Sequence, residues 1–545
     1  MASCVLGFLL AFPIGSRAVA ADLRKGARPN IVFVLADDLG IGDVKCFGGE
    51  RCQIETPGFD RIAREGLRFT DAHVVTSFCV PTRMAILTGR YPWRFQAPRE
   101  DGAWGFLLPR VSPSRLTLGR VMQSAGYHVG YVGKWHLGTR MQTTDGKTQG
   151  SENVDFSKPL ERGPNDYGID YSFILPASLD MYPYAFLRDH RFVGQVTARK
   201  GWSAFHRVGP AAEDFEDSKV LNRLAGEAEG FIARRSKNAH DGNPFFLYLA
   251  LTSPHTPVAP SSPFQGKSRL GVYGDFVMET DHVIARILDV LDQHELAENT
   301  LLIATSDHGA APYVGRRRKA TPGQIRELEQ DGHFSSGIYR GYKFSIYEGG
   351  LRVPMVVRWP AVVRPGSVCN QLVGVHDLFR TLAEITEQET PQDAAPDSIS
   401  FRSLLSDPTA TSRTNMIMQS TGSFAVRDGR FKLAVCPGSG CGGELGNRPR
   451  RDDAWKSALE RLGRSPKNRD ELKQAPFVQL FDLQEDPGET NNLAVLQPSK
   501  VSELLRVLEQ QIDAGRSTPG PELTNDVSNV DYLQSVPNFV LKDLP

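Results

Sequence analysis

Ile31-Val32-Phe33-Val34-Leu35-Ala36-Asp37-Asp38 is an unbroken β-type apolar run that ends in two carboxylates. β-Branched and aromatic residues without polar alternation suit a strand buried on both faces, and such strands belong to parallel sheets covered by helices. Phe245-Phe246-Leu247-Tyr248-Leu249-Ala250-Leu251 and Leu301-Leu302-Ile303-Ala304-Thr305 repeat the pattern. Amphipathic segments lie between these runs. From Phe276 to Leu291, Val283, Ile284, Ile287, Leu288 and Leu291 form one helical stripe, which is core packing. Alternation of this kind over about 350 residues predicts an α/β fold with a large, mostly parallel sheet sandwiched by helices.

Ligands of open α/β sheets bind beyond the carboxyl ends of the strands, so the residues that follow each run carry the functional information. Asp37-Asp38 follow the first run and Asp307-His308 follow Leu301 to Ser306. Lys134-Trp135-His136 follow His128 to Gly133, and Ser253-Pro254-His255 follow the run from Phe245. Singly, each has an ordinary structural reading: Asp-Asp as a turn or helix cap, a lone His as a hydrogen-bonded loop residue. Together, at four strand ends, they predict a metal site and an anion site. Between them, Cys79-Val80-Pro81-Thr82-Arg83 opens a segment that Gly89 closes, with Pro81 suited to a first helical turn. Cys79 therefore falls just before a helix N-terminus, where backbone N–H groups favour an anion; a buried structural Cys and a catalytic thiolate are the other readings.

Composition bounds the rest. The chain has 545 residues, with 63 Lys+Arg against 63 Asp+Glu and seven cysteines. The balanced charge argues against a nucleic-acid binder or a polybasic membrane-surface protein, and the cysteines are too few for a disulfide scaffold. Residues 1–20 read as a signal peptide, with an apolar run from Cys4 to Ile14 and Ala18-Val19-Ala20 before Ala21, which predicts export to the periplasm or medium without a stable membrane anchor. Thr386 to Ser398 reads as a linker or exposed loop, and Gly442 to Asp470 as a solvated loop. Residues 21–410 then form the main domain. Residues 411–545 form a smaller C-terminal α+β subdomain, with β-type runs at Phe424 to Val435 and Phe477 to Leu483 and a closing helix from Val501 to Ile512.

Several segments in order resemble one family, the type I sulfatases. They are Pro29 to Gly40, Cys79-x-Pro81-x-Arg83 with Leu87-Thr88-Gly89-Arg90, Gly133-Lys134-Trp135-His136-Leu137-Gly138, Ser253-Pro254-His255-Thr256-Pro257, Ser306-Asp307-His308-Gly309, Lys343 with Tyr347 to Pro354, and Leu480-Phe481-Asp482-Leu483 in the tail. The resemblance implies an alkaline-phosphatase-like fold and hydrolysis of sulfate monoesters of aryl or carbohydrate alcohols. It implies that a formylglycine-generating enzyme converts Cys79 to formylglycine. It also implies one divalent metal, usually calcium, held by Asp37, Asp38, Asp307, His308 and an oxygen of residue 79. Arg83 and Lys134 would hold the formylglycine oxygens, and His136 would take the proton in the elimination that releases sulfate. His255 would protonate the leaving oxygen with Lys343 in support. Which metal-site carboxylate accepts the nucleophile's proton stays open, with Asp307 the choice made. Two departures stand out: His308 where many members have Asn, and Thr82 where the motif usually has Ser.

The resemblance implies a sulfated small molecule or glycan as substrate, and Arg316-Arg317-Arg318-Lys319 is either a contact to an anionic polymer or, by the simpler reading, a solvated loop. The rival functions are a phosphomonoester or phosphonate hydrolase of the same superfamily and an inactive carbohydrate-binding relative. Spacing permits Cys436 with Cys441, and Cys46 with Cys52, as disulfides.

Overall fold

The computed structural model describes residues 28–201, 207–440, 451–542 and 544. Its centre is a ten-stranded sheet. In chain order the strands are β1 (Asn30–Asp37), β2 (Leu67–Phe69), β3 (His128–Lys134), β4 (Tyr171–Leu175), β5 (Leu187–Arg188), β6 (Arg191–Phe192), β7 (Phe245–Pro254), β8 (Thr300–Ser306), β9 (Met355–Arg358) and β10 (Ser367–Cys369). The spatial order is β10-β2-β9-β8-β1-β7-β3-β4-β5-β6. The strands from β8 through β1, β7 and β3 to β4 run parallel, whereas β9 and the short strands of the far edge pair antiparallel. The mixed, mostly parallel sheet is thus the one expected.

Every residue of β1 is buried. Because successive side chains alternate across a strand, Ile31, Phe33 and Leu35 enter one core while Val32, Val34 and Ala36 enter the other. On the second side lie α1 (Pro57–Glu65) and two long helices, Val220–His240 and Val272–Gln293, here α4 and α5. On the first lie α2 (Cys79–Thr88), α3 (Leu118–Ser124) and α6 (Leu378–Ile385). A second sheet of β11 (Met416–Ser420), β12 (Ser423–Arg427), β13 (Phe431–Ala434) and β14 (Gln479–Asp482) is wholly antiparallel. Its apolar residues Phe424, Val426, Leu433 and Leu480 join the same core as α2.

Some expectations need correction. Gly442 to Asp470 is not all solvated loop: Arg451–Leu462 is a helix, and Trp455 and Ala458 bury one edge of it beneath charged neighbours. Only the first half of Thr386 to Ser398 is exposed, since Asp397 is buried and holds Arg94 through both carboxylate oxygens. The 316–319 run, by contrast, is exposed as the simpler reading expects, and its arginines pair with Asp331, Glu327 and Asp217. Cys46 and Cys52 stand as free thiols, with the Cys52 thiol donating to the Ile54 carbonyl at 3.3 Å. The signal peptide and the Cys436–Cys441 pairing fall outside the described residues. Among the described residues no helix is long and apolar enough to cross a membrane.

Candidate active site

Register brings the strand ends together. Ala36 of β1 lies opposite Ser306 of β8, Asp37 opposite Pro254 of β7, and Ala250 of β7 opposite Gly133 of β3. Close approach at Gly133 requires glycine: φ is +115° and a Cβ there would stand 1.7 Å from the Ala250 carbonyl oxygen. The next residues turn sharply out of the sheet. Asp38 and His136 adopt φ of 66° and 55°, left-handed conformations that cost about 1–3 kcal/mol each and persist only where surroundings impose them. Asp307 imposes the first, accepting the Asp38 N–H at 3.2 Å, while Ser306 Oγ accepts the Leu39 N–H at 3.0 Å.

Cys79 is the first residue of α2, one position further into the helix than the sequence implied, with Phe78 as the cap. Gly89 ends the helix in the left-handed region, its N–H donating to Ala85. The backbone before Cys79 is tied to the C-terminal sheet, since Gln419 of β11 donates to Val75 and accepts from Ser77. Phe344, just after Lys343, donates to the Ser77 carbonyl and receives the Ser420 hydroxyl on its own. Its ring sits 4.8 Å from that of Phe78 and 6.3 Å from that of Tyr313, forming an aromatic lip beside Cys79 that motif reading did not find.

Around Cys79 the expected residues converge, all of them buried. One donor atom each from Asp37, Asp38, Cys79 and His308 lies within 4.8 Å of the others. Asp307 stands at the edge of this group, with Oδ1 3.4 Å from His308 Nε2 and Oδ2 accepting from Arg83 Nη2 at 2.9 Å. Arg83 also donates to the Lys134 carbonyl at 2.9 Å. Lys134 Nζ donates to Asp37 at 2.7 Å and Lys343 Nζ to Asp38 at 2.7 Å, so an ammonium group flanks each of the paired carboxylates. His255 Nε2 is 3.8 Å from Asp38 Oδ2.

These charges set the protonation states. Burial pushes the Asp37 carboxyl up, but Lys134, His255, Arg83 and Lys343 together outweigh it and hold it well below the usual range. Burial wins at Asp38, which is pushed up to about 7 despite Lys343 and His308. Burial opposes charging of the Cys79 thiol, yet Lys134, Lys343 and the neighbouring His136 and His308 draw it well below its ordinary value. The place of the Cys79 sulfur is therefore suited to an anion. Burial lowers His136 to about 4 and, with Lys343, lowers His255 as well. For His308 the neighbouring Asp307 and Asp38 overcome burial and raise it to about 9.

A bound cation fits this donor set. Asp37 Oδ1 and His308 Nε2 are buried polar atoms with no hydrogen-bond partner, and buried polar groups are otherwise nearly always paired. Three carboxylates with one imidazole form an oxygen-rich site for a hard divalent ion.

One buried acidic residue beside His255 escaped the sequence reading. Asp180 lies five residues beyond the end of β4, is 4% exposed, and places Oδ1 3.8 Å from His255 Nδ1. The strand-end rule covers it, but it follows an ordinary Ser-Leu dipeptide with no motif around it.

The Sulfatase family model matches residues 29–388. An N-acetylgalactosamine-6-O-sulfatase of Bacteroides thetaiotaomicron is 32% identical over 528 residues, covering 89% of this chain and 93% of that protein. Human N-acetylgalactosamine-6-sulfatase is 32% identical over 385 residues, covering 68% and 65%. A solved Bacteroides thetaiotaomicron structure, described in connection with the metabolism of multiple glycosaminoglycans, superposes with a TM-score of 0.74 at 30% identity over 89% of this chain and 99% of that one. A phosphonate monoester hydrolase of Silicibacter pomeroyi shares the fold, with a TM-score of 0.56 at 18% identity over 92% and 97%. The chain belongs to the sulfatase family, enzymes of alkaline-phosphatase-like fold that hydrolyse sulfate esters.

Proposed function

We propose that this sulfatase removes sulfate from carbohydrate alcohols, 6-O-sulfated N-acetylgalactosamine being the first candidate, with residue 79 as nucleophile after conversion of Cys79 to formylglycine. The observation that carries the mechanism is the Cys79 sulfur inside the 4.8 Å group of Asp37, Asp38 and His308, with Lys134 and Lys343 bonded to the two carboxylates. The carbohydrate preference rests on the Bacteroides relative, whose similarity spans 89% of this chain.

Asp37, Asp38, Asp307 and His308 would hold one divalent ion, calcium being the usual choice of the family, and residue 79 would complete its shell. The ion, when bound, would supply fixed positive charge against the sulfate oxygens, and hydrated formylglycine at residue 79 would offer two hydroxyls on one carbon. The chain's own residues do the rest. Arg83 fixes Asp307 and the Lys134 backbone, so the acidic rim keeps its shape when an anion enters. Lys134 and Lys343 neutralise the sulfate oxygens as charge develops. His255, next to Asp38, donates a proton to the leaving alkoxide, and His136, beside residue 79, takes the proton given up there.

Sulfate release from 6-sulfated N-acetylgalactosamine, measured beside turnover of nitrophenyl sulfate and nitrophenyl phosphate on one preparation, tests the reading. Sulfate turnover should dominate, and mass spectrometry of the peptide across Cys79 should show the aldehyde or its hydrate. Faster phosphate turnover, or an unmodified thiol in protein from the native host, would overturn it.

A further inference from the structure

We infer that Asp180 determines substrate specificity, its Oδ1 accepting a hydrogen bond from a ring hydroxyl of the sugar that carries the scissile sulfate; this rests on the reading above. Asp180 is fixed from behind. Arg207 Nη1 donates to its Oδ2 and reaches its backbone carbonyl at 3.3 Å, and the same guanidinium lies 3.8 Å from the centroid of the Trp104 ring. Oδ1 faces the other way and has no hydrogen-bond partner among the described residues. The nearest imidazole does not serve it, because His255 Nδ1 donates to the Thr256 carbonyl at 2.6 Å and stands 3.8 Å from Oδ1.

Position then selects the ligand group. His255 presents Nε2 towards Asp38 and Nδ1 towards Asp180, so Asp180 lies on the side of His255 away from the paired carboxylates. A sulfate between the cation and the two lysines would have its leaving oxygen at His255, and the alcohol would extend past it to Asp180. A carboxylate there repels sulfate oxygens and accepts only from a donor, which a polyhydroxylated leaving group offers and a bare aryl ring does not. A buried acceptor left unmatched is costly, so a substrate lacking the matching hydroxyl is rejected more strongly than its lost contact alone implies.

The test uses the full chain, 6-sulfated 4-nitrophenyl N-acetyl-β-D-galactosaminide, its 3-deoxy and 4-deoxy analogues, and nitrophenyl sulfate. The wild type should lose about 10- to 100-fold in kcat/KM on one deoxy sugar, mostly through KM. Asp180→Asn keeps the side chain's size, and its amide oxygen stays with Arg207, so its NH2 faces the pocket. It should lower kcat/KM on the parent sugar by a similar factor, lower it less on nitrophenyl sulfate, and no longer distinguish the deoxy analogue. Equal losses on sugar and nitrophenyl sulfate, or deoxy discrimination that survives in the variant, would overturn the assignment. Wild-type turnover with no discrimination against either deoxy sugar overturns it without any variant. Absence of wild-type sulfate release from every substrate would instead remove the sulfatase reading, and this assignment with it.

Discussion

Asp37 and Asp38 illustrate how far single residues carry the chemistry. Two adjacent carboxylates at a strand end alternate in direction, and here each meets its own ammonium group, Lys134 for one and Lys343 for the other. The partnerless Asp37 Oδ1 and His308 Nε2 make this cluster a candidate cation site, beyond an ion-pair network. Chelation should therefore abolish sulfate release and lower the thermal midpoint, and calcium at about 100 times its Kd should restore about 2.7 kcal/mol of stability. Calorimetry with and without the ion checks this, and an unchanged midpoint would count against the site. A leaving-group acid makes a different demand. His255→Ala should cost about 10²- to 10⁴-fold in kcat on a sugar sulfate and much less on nitrophenyl sulfate, whose phenolate leaves without a proton. Parallel losses on both would assign His255 another role. The convergence of Asp37, Asp38, Asp307, His308, Lys134, His136 and His255 was legible, because each lies at the end of a recognisable strand or within two residues of it. Asp180 was not, because its significance lies in Arg207 and His255, which only folding brings near.

The elements were legible where burial is two-sided. β1, β7 and β8 announce themselves as apolar runs, and the stripe within Val272–Gln293 was read as a helix four residues short at its start. Arg451–Leu462 was missed because its buried edge is narrow and charges crowd it. The junction of α1 and α5 was also out of reach. Thr56 caps α1 without a side-chain bond, and Asp281 of α5 does the work from outside, accepting the Gly58 and Phe59 N–H groups at 2.8 Å each. Asp281→Ala should destabilise the fold by about 1–3 kcal/mol in denaturant unfolding. Burial, opposed by those N–H groups, raises Asp281 to about 7. Because its folded value exceeds its unfolded one, the folded state holds the proton more tightly, and this residue's contribution grows less favourable as pH rises from about 4 to about 7. Asp281→Asn should flatten stability across that window, and an unaltered pH profile would refute the assignment.

At the scale of the whole molecule, the C-terminal sheet is built into the candidate active site. Lys432 of β13 is buried between Glu348 and Glu489, at 3.0 and 2.9 Å, and Arg427 of β12 holds Asp71 through both oxygens at 2.7 and 2.8 Å. Glu348 follows Lys343 by one short loop, and β11 hydrogen-bonds the backbone leading to Cys79. A chain ending at residue 410 would strip both supports, taking Lys432 from Glu348 and Arg427 from Asp71 and leaving Arg352 to hold both buried carboxylates. It should be insoluble or inactive, and the full chain should unfold in one calorimetric transition; an active fragment or two separated transitions would show independent domains. The sequence by itself determined the parallel sheet, the strand ends that bear the chemistry and the family, because two-sided burial and ligand chemistry restrict residue type locally. Only the tertiary structure decided which donor atoms meet, which stay without a partner, and that the C-terminal sheet braces the backbone before Cys79. Those outcomes depend on contacts between residues hundreds of positions apart, and no local pattern constrains them.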